Sequence, residues 1–320
     1  MRALLIVNPH ATTTSSAGRD LIGHALSSKL SLRIKQTAHR GHAAELAAEA
    51  TKQGYPLIIV HGGDGTVNEV VNGILEPPRE GLLTSLPLGA VPSVAVIPGG
   101  SANVFARSLG IAPDPLDAAN QILDLIARRE HRRIGLAHCE GRWFLFNAGV
   151  GLDAHAVRAV EKKRAAGRTA TPGRYMRAAA RAFLRERRLP PALTVELPDG
   201  AVHDGVYFAF VSNASPWTFI DERPVLTNPG VSFDNGLGVF AMRSAGIVPI
   251  ARVARQIVFG SGGPAHRHLL RVDDVPRVRV RASRPMGLQV DGDYIGMRDD
   301  VAFHAVPDML DVIAQANPRV

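Results

Sequence analysis

Along the first 130 positions, apolar residues recur in short runs separated by amphipathic stretches. The runs over 3–7, 32–36, 57–61 and 94–97 are too short for helices and read as strands of a parallel sheet. Residues 19–30, 42–53, 66–74, 102–109 and 115–128 place apolar side chains three or four apart and predict helices. Strand and helix thus alternate, as in an α/β layer fold. From about residue 134 the pattern changes. Strands rich in Val, Phe and Leu, over 143–146, 193–197, 207–211, 275–280 and 287–290, are separated by Gly, Pro, Asp and Asn and predict a mostly antiparallel second domain. A helical insert is expected over 155–188. The expected division is an α/β domain over 1–133 and a second domain over 134–300. The last strand, over 301–306, leaves open a return of segment 301–320 to the first domain.

With 320 residues, 46% hydrophobic and 21% charged, the chain has room for one large core or two smaller ones, and its composition excludes disorder as the dominant state. Cys139 is the single cysteine, which excludes an intramolecular disulfide framework and fits a reducing cytoplasm; it reads as a packing residue. The run 3–7 is too short for a signal-peptide core, and no stretch approaches the ~18 apolar residues that span a bilayer. Any contact with lipid is therefore peripheral. The net charge of +8 and pI of about 10.2 suit polyanionic partners: nucleic acid, phosphorylated ligands or an anionic leaflet. No recognised nucleic-acid module appears, so nucleic acid is not expected.

The strongest chemical signal is the strand over 57–61 followed by Gly62-Gly63-Asp64-Gly65-Thr66-Val67-Asn68-Glu69. Glycines let the main chain approach phosphate oxygens, and a helix opening near Thr66 offers its N–H groups to the anion. Asp64 would repel phosphate, so its presence implies a metal ion or a water network organised by one. The bland alternative is a tight turn with Thr66 as helix cap. A second loop, Gly99-Gly100-Ser101-Ala102-Asn103, follows the strand over 94–97. Ser101 and Asn103 suit phosphate or ribose, or Ser101 merely caps the next helix. Asn8-Pro9 after the first strand and the run from Thr37 to Ala43 after the second complete the same edge of the sheet. Neither a Walker A lysine loop nor the dinucleotide Gly-x-Gly-x-x-Gly follows these strands.

The loops over 62–73 and 98–107 resemble the diagnostic loops of the diacylglycerol kinase catalytic-domain family. Asn147-Ala148-Gly149-Val150-Gly151-Leu152-Asp153-Ala154 resembles its Asn-x-Gly-x-Gly-x-Asp-Ala element, and Asp291-Gly292-Asp293 resembles the Asp-Gly-acid turn that carries the catalytic base. The resemblance covers nearly the whole chain. It implies an N-terminal α/β domain like that of NAD kinases and phosphofructokinases, a C-terminal β-sandwich, and an active site in the cleft between them. It implies a Mg-ATP-dependent kinase acting on the hydroxyl of diacylglycerol, with a sphingoid base, a ceramide-like alcohol or a non-catalytic nucleotide- and lipid-binding regulator as the alternatives. NAD kinase shares the Gly-Gly-Asp-Gly loop, but the Asn68-Glu69 continuation and the Asp-Gly-Asp turn argue against it.

Carried onto this sequence, the resemblance gives ATP to Thr37, Gly62 to Asn68 and Ser101, with Asn8, Glu69, Gly99, Gly100 and Asn103 beside them. Asp291 and Asp293 compete for the base role; the family position matching Asp293 is usually Glu. Asp64 and Asp153 would support the metal and its waters. A structural Mg²⁺ loop would draw on Ser232, Asn235 and Leu237, although Asn235 stands where Asp is expected. A second departure is Asn8-Pro9-His10-Ala11-Thr12-Thr13, in place of a small-residue loop. The arginines at 174, 177, 181, 185 and 188 form a basic helical stripe, read either as an interfacial helix or as a solvated face of a packed one. His266-Arg267-His268 reads as an exposed basic loop. The resemblance implies a cytoplasmic protein, peripheral on the inner face of the membrane, and admits a homodimer.

Overall fold

The computed structural model describes residues 1–11, 15–78, 85–151, 187–220, 222–260 and 262–316. It comprises two compact units. The first is Met1–Leu136, Gly141–Trp143 and Val306–Val320; the second is Ala137–Glu140 and Phe144–Ala305. Asp153 and the insert expected over 155–188 lie outside the described residues, except for Arg187 and Arg188, which form a turn. Among the described residues no helix is long and apolar enough to cross a membrane.

The first unit is a parallel sheet. Strands β1 (Arg2–Val7), β2 (Ser31–Gln36), β3 (Leu57–Gly62) and β4 (Ser93–Pro98) lie in the order β4-β3-β1-β2. β3 is buried along its whole length, as a central strand covered on both faces should be. β2 is the edge, and the charges of Arg33 and Lys35 mark its solvent side. Helices α1 (Ser16–Ser27), α2 (His42–Lys52), α3 (Asp64–Ile74), α4 (Val104–Ser108) and α5 (Pro115–Arg128) follow these strands or connect onward. α5 begins where its sequence says it must: Asp114 accepts hydrogen bonds from the N–H groups of Leu116 and Asp117, and Pro115 occupies the first turn.

Three helix starts differ from the expected ones; α4 begins at Val104 rather than 102, because Asn103 is its cap. α1 begins at Ser16 because Ser15 caps it, accepting from the N–H of Gly18. α3 begins at Asp64, two residues before Thr66, with Gly63 as its cap; Thr66 is inside the helix and does not cap it. α2 and α3 pack very closely at Gly73, where a Cβ would lie 2.2 Å from the carbonyl oxygen of Ala44.

The second unit is built on antiparallel strands. β7 (Asn147–Val150), β10 (Phe208–Ser212), β13 (Leu237–Met242) and β14 (Leu269–Val275) pair in succession. On the other side of β7 runs β15 (Arg277–Val290), and beyond it β16 (Asp293–Val312). β5 (Arg132–Cys139) pairs with β16 and with β6 (Arg142–Phe144), and the hairpin of β8 (Leu193–Glu196) and β9 (Val202–Val206) pairs with β15. β11 (Thr218–Ile220) and β12 (Arg223–Val225) form a small separate ribbon.

The strands expected over 275–280 and 287–290 are one, β15. It pairs with β8 through Arg279–Ala282 and with β7 through Leu288–Val290, and the register with β16 shifts between Arg281 and Met286. Ser283, Arg284 and Pro285 break the apolar alternation there, so one bent strand reads as two in sequence. The period-two pattern of β10 and β13 divides their side chains between two cores. Ala209, Val211, Val239 and Ala241 join one; Phe208, Phe240 and Met242 join another, covered by α6 (Ile247–Phe259) through Val253, Ile250 and Ile257. Cys139 is buried in the first of these cores.

Gly73→Ala gains helix propensity yet forces α2 and α3 apart; it is expected to lower stability by about 1–3 kcal/mol in denaturant unfolding. His138, buried and stacked on His304 with ring centroids 5.0 Å apart, has its pKa lowered to about 4, chiefly by burial and secondarily by the charge of His304. The unfolded chain therefore binds a proton that the fold resists. Stability is lost as pH falls from the ordinary imidazole value of about 6.5 toward about 4, and the denaturation midpoint of His138→Gln is expected to fall less over that window.

Candidate nucleotide and acid-turn sites

The parallel register ends the four strands of the first unit together, because Val7 stands beside Gln36 and His61, and Gly62 beside Pro98. Backbone bonds continue the alignment into the loops: Asn8 donates to His61, Thr37 to Val7 and Gly99 to Gly62. At this edge lies a cavity of about 310 Å³, lined by Asn8, His10, Thr37, Ala38, His39, Arg40, Gly65, Thr66 and Glu69. Asn8 is fixed in it, donating from Nδ2 to Thr66 Oγ1 at 3.1 Å and accepting at Oδ1 from the N–H of His10. His39 stacks on His42 at 4.8 Å, and His42 Nδ1 accepts from the N–H of Ala38.

The glycines of the two loops serve different ends. A Cβ on Gly100 would lie 2.7 Å from the Cα of Gly63, and one on Gly99 would lie 3.0 Å from the Cα of Gly62. Those four glycines let two main chains touch. At Gly65, by contrast, an added Cβ meets nothing within 4 Å, and the residue is exposed in the first turn of α3 on the cavity wall. Its missing side chain keeps the space in front of the helix N-terminus open.

Several expected contact residues face away from the cavity. Asn68 is buried, donates from Nδ2 to the carbonyl of Trp143, and accepts at Oδ1 from Asn72 and Arg142. Asn103, with a φ of 48°, exchanges two 2.8 Å hydrogen bonds with Gly100 and so closes its own loop. Val67 is buried in the core. Ser101 is exposed and does not cap α4, whose capping position is Asn103. His10, His39 and Arg40 line the cavity; they lie in the loops after β1 and β2 that the sequence placed at this edge, although no contact role was expected of them individually.

Both acids of the first glycine motif bind helix N-termini. The two oxygens of Asp64 accept from the N–H groups of Val104 and Phe105 at 3.0 Å, holding the start of α4. Burial pushes its carboxyl above the usual carboxylate range, and those N–H groups oppose the shift. Glu69 accepts from the N–H groups of Gly41 and Ala43 at the start of α2. A metal is therefore not required to explain Asp64, since helix N-termini compensate its charge.

In the second unit, Val290 pairs with Asp293 across a two-residue turn, Asp291-Gly292, with φ values of 46° and 82°. Positive φ at both positions is the type I′ hairpin geometry that Asp-Gly favours. Asp291 is buried. Its Oδ2 accepts from the N–H of Leu145 at 2.7 Å, and its Oδ1 accepts from those of Phe146 and Asn147, each at 3.1 Å. Gln289 braces the turn, donating to Asn147 Oδ1 and accepting from the N–H of Gly292. Asp293 stays half-exposed at the start of β16.

The loop expected to hold a structural metal is turned onto its own backbone: Asn235 accepts from the N–H of Ser232 and donates to Gly230, while Ser232 Oγ accepts from the N–H of Asp234. Leu237 is buried at the start of β13. Among the described residues no group of three or more His, Cys, Asp or Glu side chains gathers to hold a metal ion.

Residues 2–138 match the family described as diacylglycerol kinase catalytic domain. A diacylglycerol kinase of Bacillus subtilis (strain 168) is 28% identical over 311 residues, covering 92% of this chain and 91% of the relative. A diacylglycerol kinase of Staphylococcus saprophyticus is 31% identical over 159 residues, covering 47% of this chain and 45% of the relative. A solved diacylglycerol kinase structure from Bacillus anthracis str. Sterne shares the fold over 100% of this chain and 98% of its own, with a TM-score of 0.69 and 22% identity. The paired glycine loops lie within the matched stretch, and the likeness to diacylglycerol kinases extends in sequence over 92% of the chain and in fold over all of it.

Proposed function

We propose that this chain transfers the γ-phosphoryl group of magnesium-bound ATP to the free hydroxyl of diacylglycerol, giving phosphatidic acid and ADP. The observation that carries the reading is the cavity at the start of α3, where an open Gly65 adjoins His10, His39 and Arg40. Such a wall suits a polyphosphate: helix N–H groups bind oxygens directly, and the basic side chains offset the charge. The family and its curated diacylglycerol kinase members support the acceptor. Magnesium belongs here to the incoming nucleotide.

Phosphoryl transfer asks mainly for positioning and charge neutralisation. Asn8, tied to Thr66, and Thr37 would orient the phosphates, with the cations beside them. The acceptor oxygen attacks the γ-phosphorus, the bond to the β–γ bridging oxygen breaks, and the hydroxyl proton leaves to a carboxylate. Between the two acids of the turn, Asp293 is the better base. Asp291 is buried with both oxygens occupied by three backbone N–H donors, whereas Asp293 remains half-exposed. Asp291 then acts as a positioning residue that holds the turn. The substrate puts the enzyme at a membrane, on the cytoplasmic face.

The test is transfer of labelled γ-phosphate from ATP to diacylglycerol, a sphingoid base and a ceramide in mixed micelles. Label is expected in phosphatidic acid. Asp293→Asn is expected to lower turnover by roughly a hundredfold or more with little change in unfolding midpoint, and Asp291→Asn to lower both turnover and midpoint. Label in another lipid reassigns the acceptor; ATP binding without transfer to any lipid sinks the kinase reading. Gly65→Ala separates fold from site: it is expected to raise stability by about 0.5–1 kcal/mol through helix propensity while weakening ATP binding.

A further inference from the structure

Helix α6 departs from the rule that a surface helix is apolar on one side only. Ile250, Val253 and Ile257 face the core formed by Phe208, Phe240 and Met242. The opposite face is also apolar: Ile247 and Val248 are each 59% exposed and Phe259 is 75% exposed. Arg252 and Arg255, both exposed, stand among them. Between Asp234 and Asp273 the chain has no carboxylate, whereas Arg243, Arg252, Arg255, Arg267 and Arg271 fall within that stretch. The basic loop at Arg267 is held against α6, because Gln256 donates to the carbonyl of Ala265 and accepts from its N–H. Beside the first turn of the helix, Arg187 and Arg243 line a depression of about 600 Å³ together with Tyr207 and the residues from Ser244 to Pro249.

We infer that the outward face of α6 is the surface by which this protein docks on an anionic bilayer. Exposed apolar side chains interspersed with arginine and free of carboxylates match the boundary of acyl chains and anionic headgroups, where apolar groups sink and cations pair with phosphate. A second copy of the chain is the poorer occupant: the same face on both partners would bring arginines against arginines. The inference rests on the lipid-kinase reading above, which puts the substrate in a membrane, and it names the part of the chain that meets that membrane.

The test uses the full chain and two double variants, Val248→Ser with Phe259→Ser and Arg252→Gln with Arg255→Gln, all surface substitutions. Each is sedimented with vesicles of phosphatidylcholine containing phosphatidylglycerol and with vesicles of phosphatidylcholine alone. Each is also assayed for phosphate transfer from ATP to a short-chain, water-soluble diacylglycerol. The native chain is expected to bind the anionic vesicles preferentially. Either variant is expected to bind roughly tenfold more weakly or worse, while transfer to the soluble acceptor stays native. Vesicle binding unchanged in both variants overturns the inference. So does self-association of the native chain that Phe259→Ser abolishes without altering vesicle binding, since the face is then an interface between copies. If even the native chain fails to phosphorylate the soluble acceptor, the kinase reading fails, and the vesicle result alone still upholds or overturns the docking face.

Discussion

The arrangement of the first unit's loop edge depends on two main chains touching. Gly62 and Gly63 meet Gly99 and Gly100 so closely that no β-carbon fits between Gly63 and Gly100. This contact joins the ends of β3 and β4 into one surface, just before α3 and α4 begin at Asp64 and Val104. The short α4 is then held by Asp64, which reaches its first N–H groups from the start of α3, and Glu69 does the same for α2. A compact motif thus organises three helices around one edge of the sheet, and the acids within it bind helix termini before they bear on any ligand.

The second unit solves a comparable problem with one carboxylate. Asp291 gathers three consecutive N–H groups that a turning chain would otherwise bury unpaired. Asn213 extends the arrangement, donating from Nδ2 to the carbonyl of Leu145 and from its own N–H to the carbonyl of Phe146. Asp293, two residues on, is half-exposed where Asp291 is buried.

The sheet of the first unit was legible because β1, β3 and β4 carry apolar runs and the exposed β2 alternates apolar with charged residues, and α5 because Asp114-Pro115 announces it. α3 was harder to bound, since glycines that serve a loop contact look the same in sequence as glycines that end a helix. The unity of β15 was hidden by the polar break at Ser283–Pro285, where the strand changes neighbours. Within the site, the two glycine loops and the Asp-Gly-Asp turn stood out by their residues. What did not stand out were contacts made across long stretches of chain: Asp64 meets a partner 40 residues on, and Asp291 one 146 residues back. Asn68 likewise belongs by sequence to a nucleotide motif and by geometry to the packing of Arg142 and Trp143.

β16 carries a consequence for biosynthesis. Its last residue, Val312, runs parallel beside Val94 of β4, so the first unit takes in residues from both ends of the chain. Emerging from a ribosome, the amino-terminal part must wait, with one flank of β4 uncovered, until the whole intervening unit has been made. Completion of the first unit's own sheet therefore waits on residues made after the second unit, and a chain cut short before them carries an open strand edge ready to pair with the wrong partner.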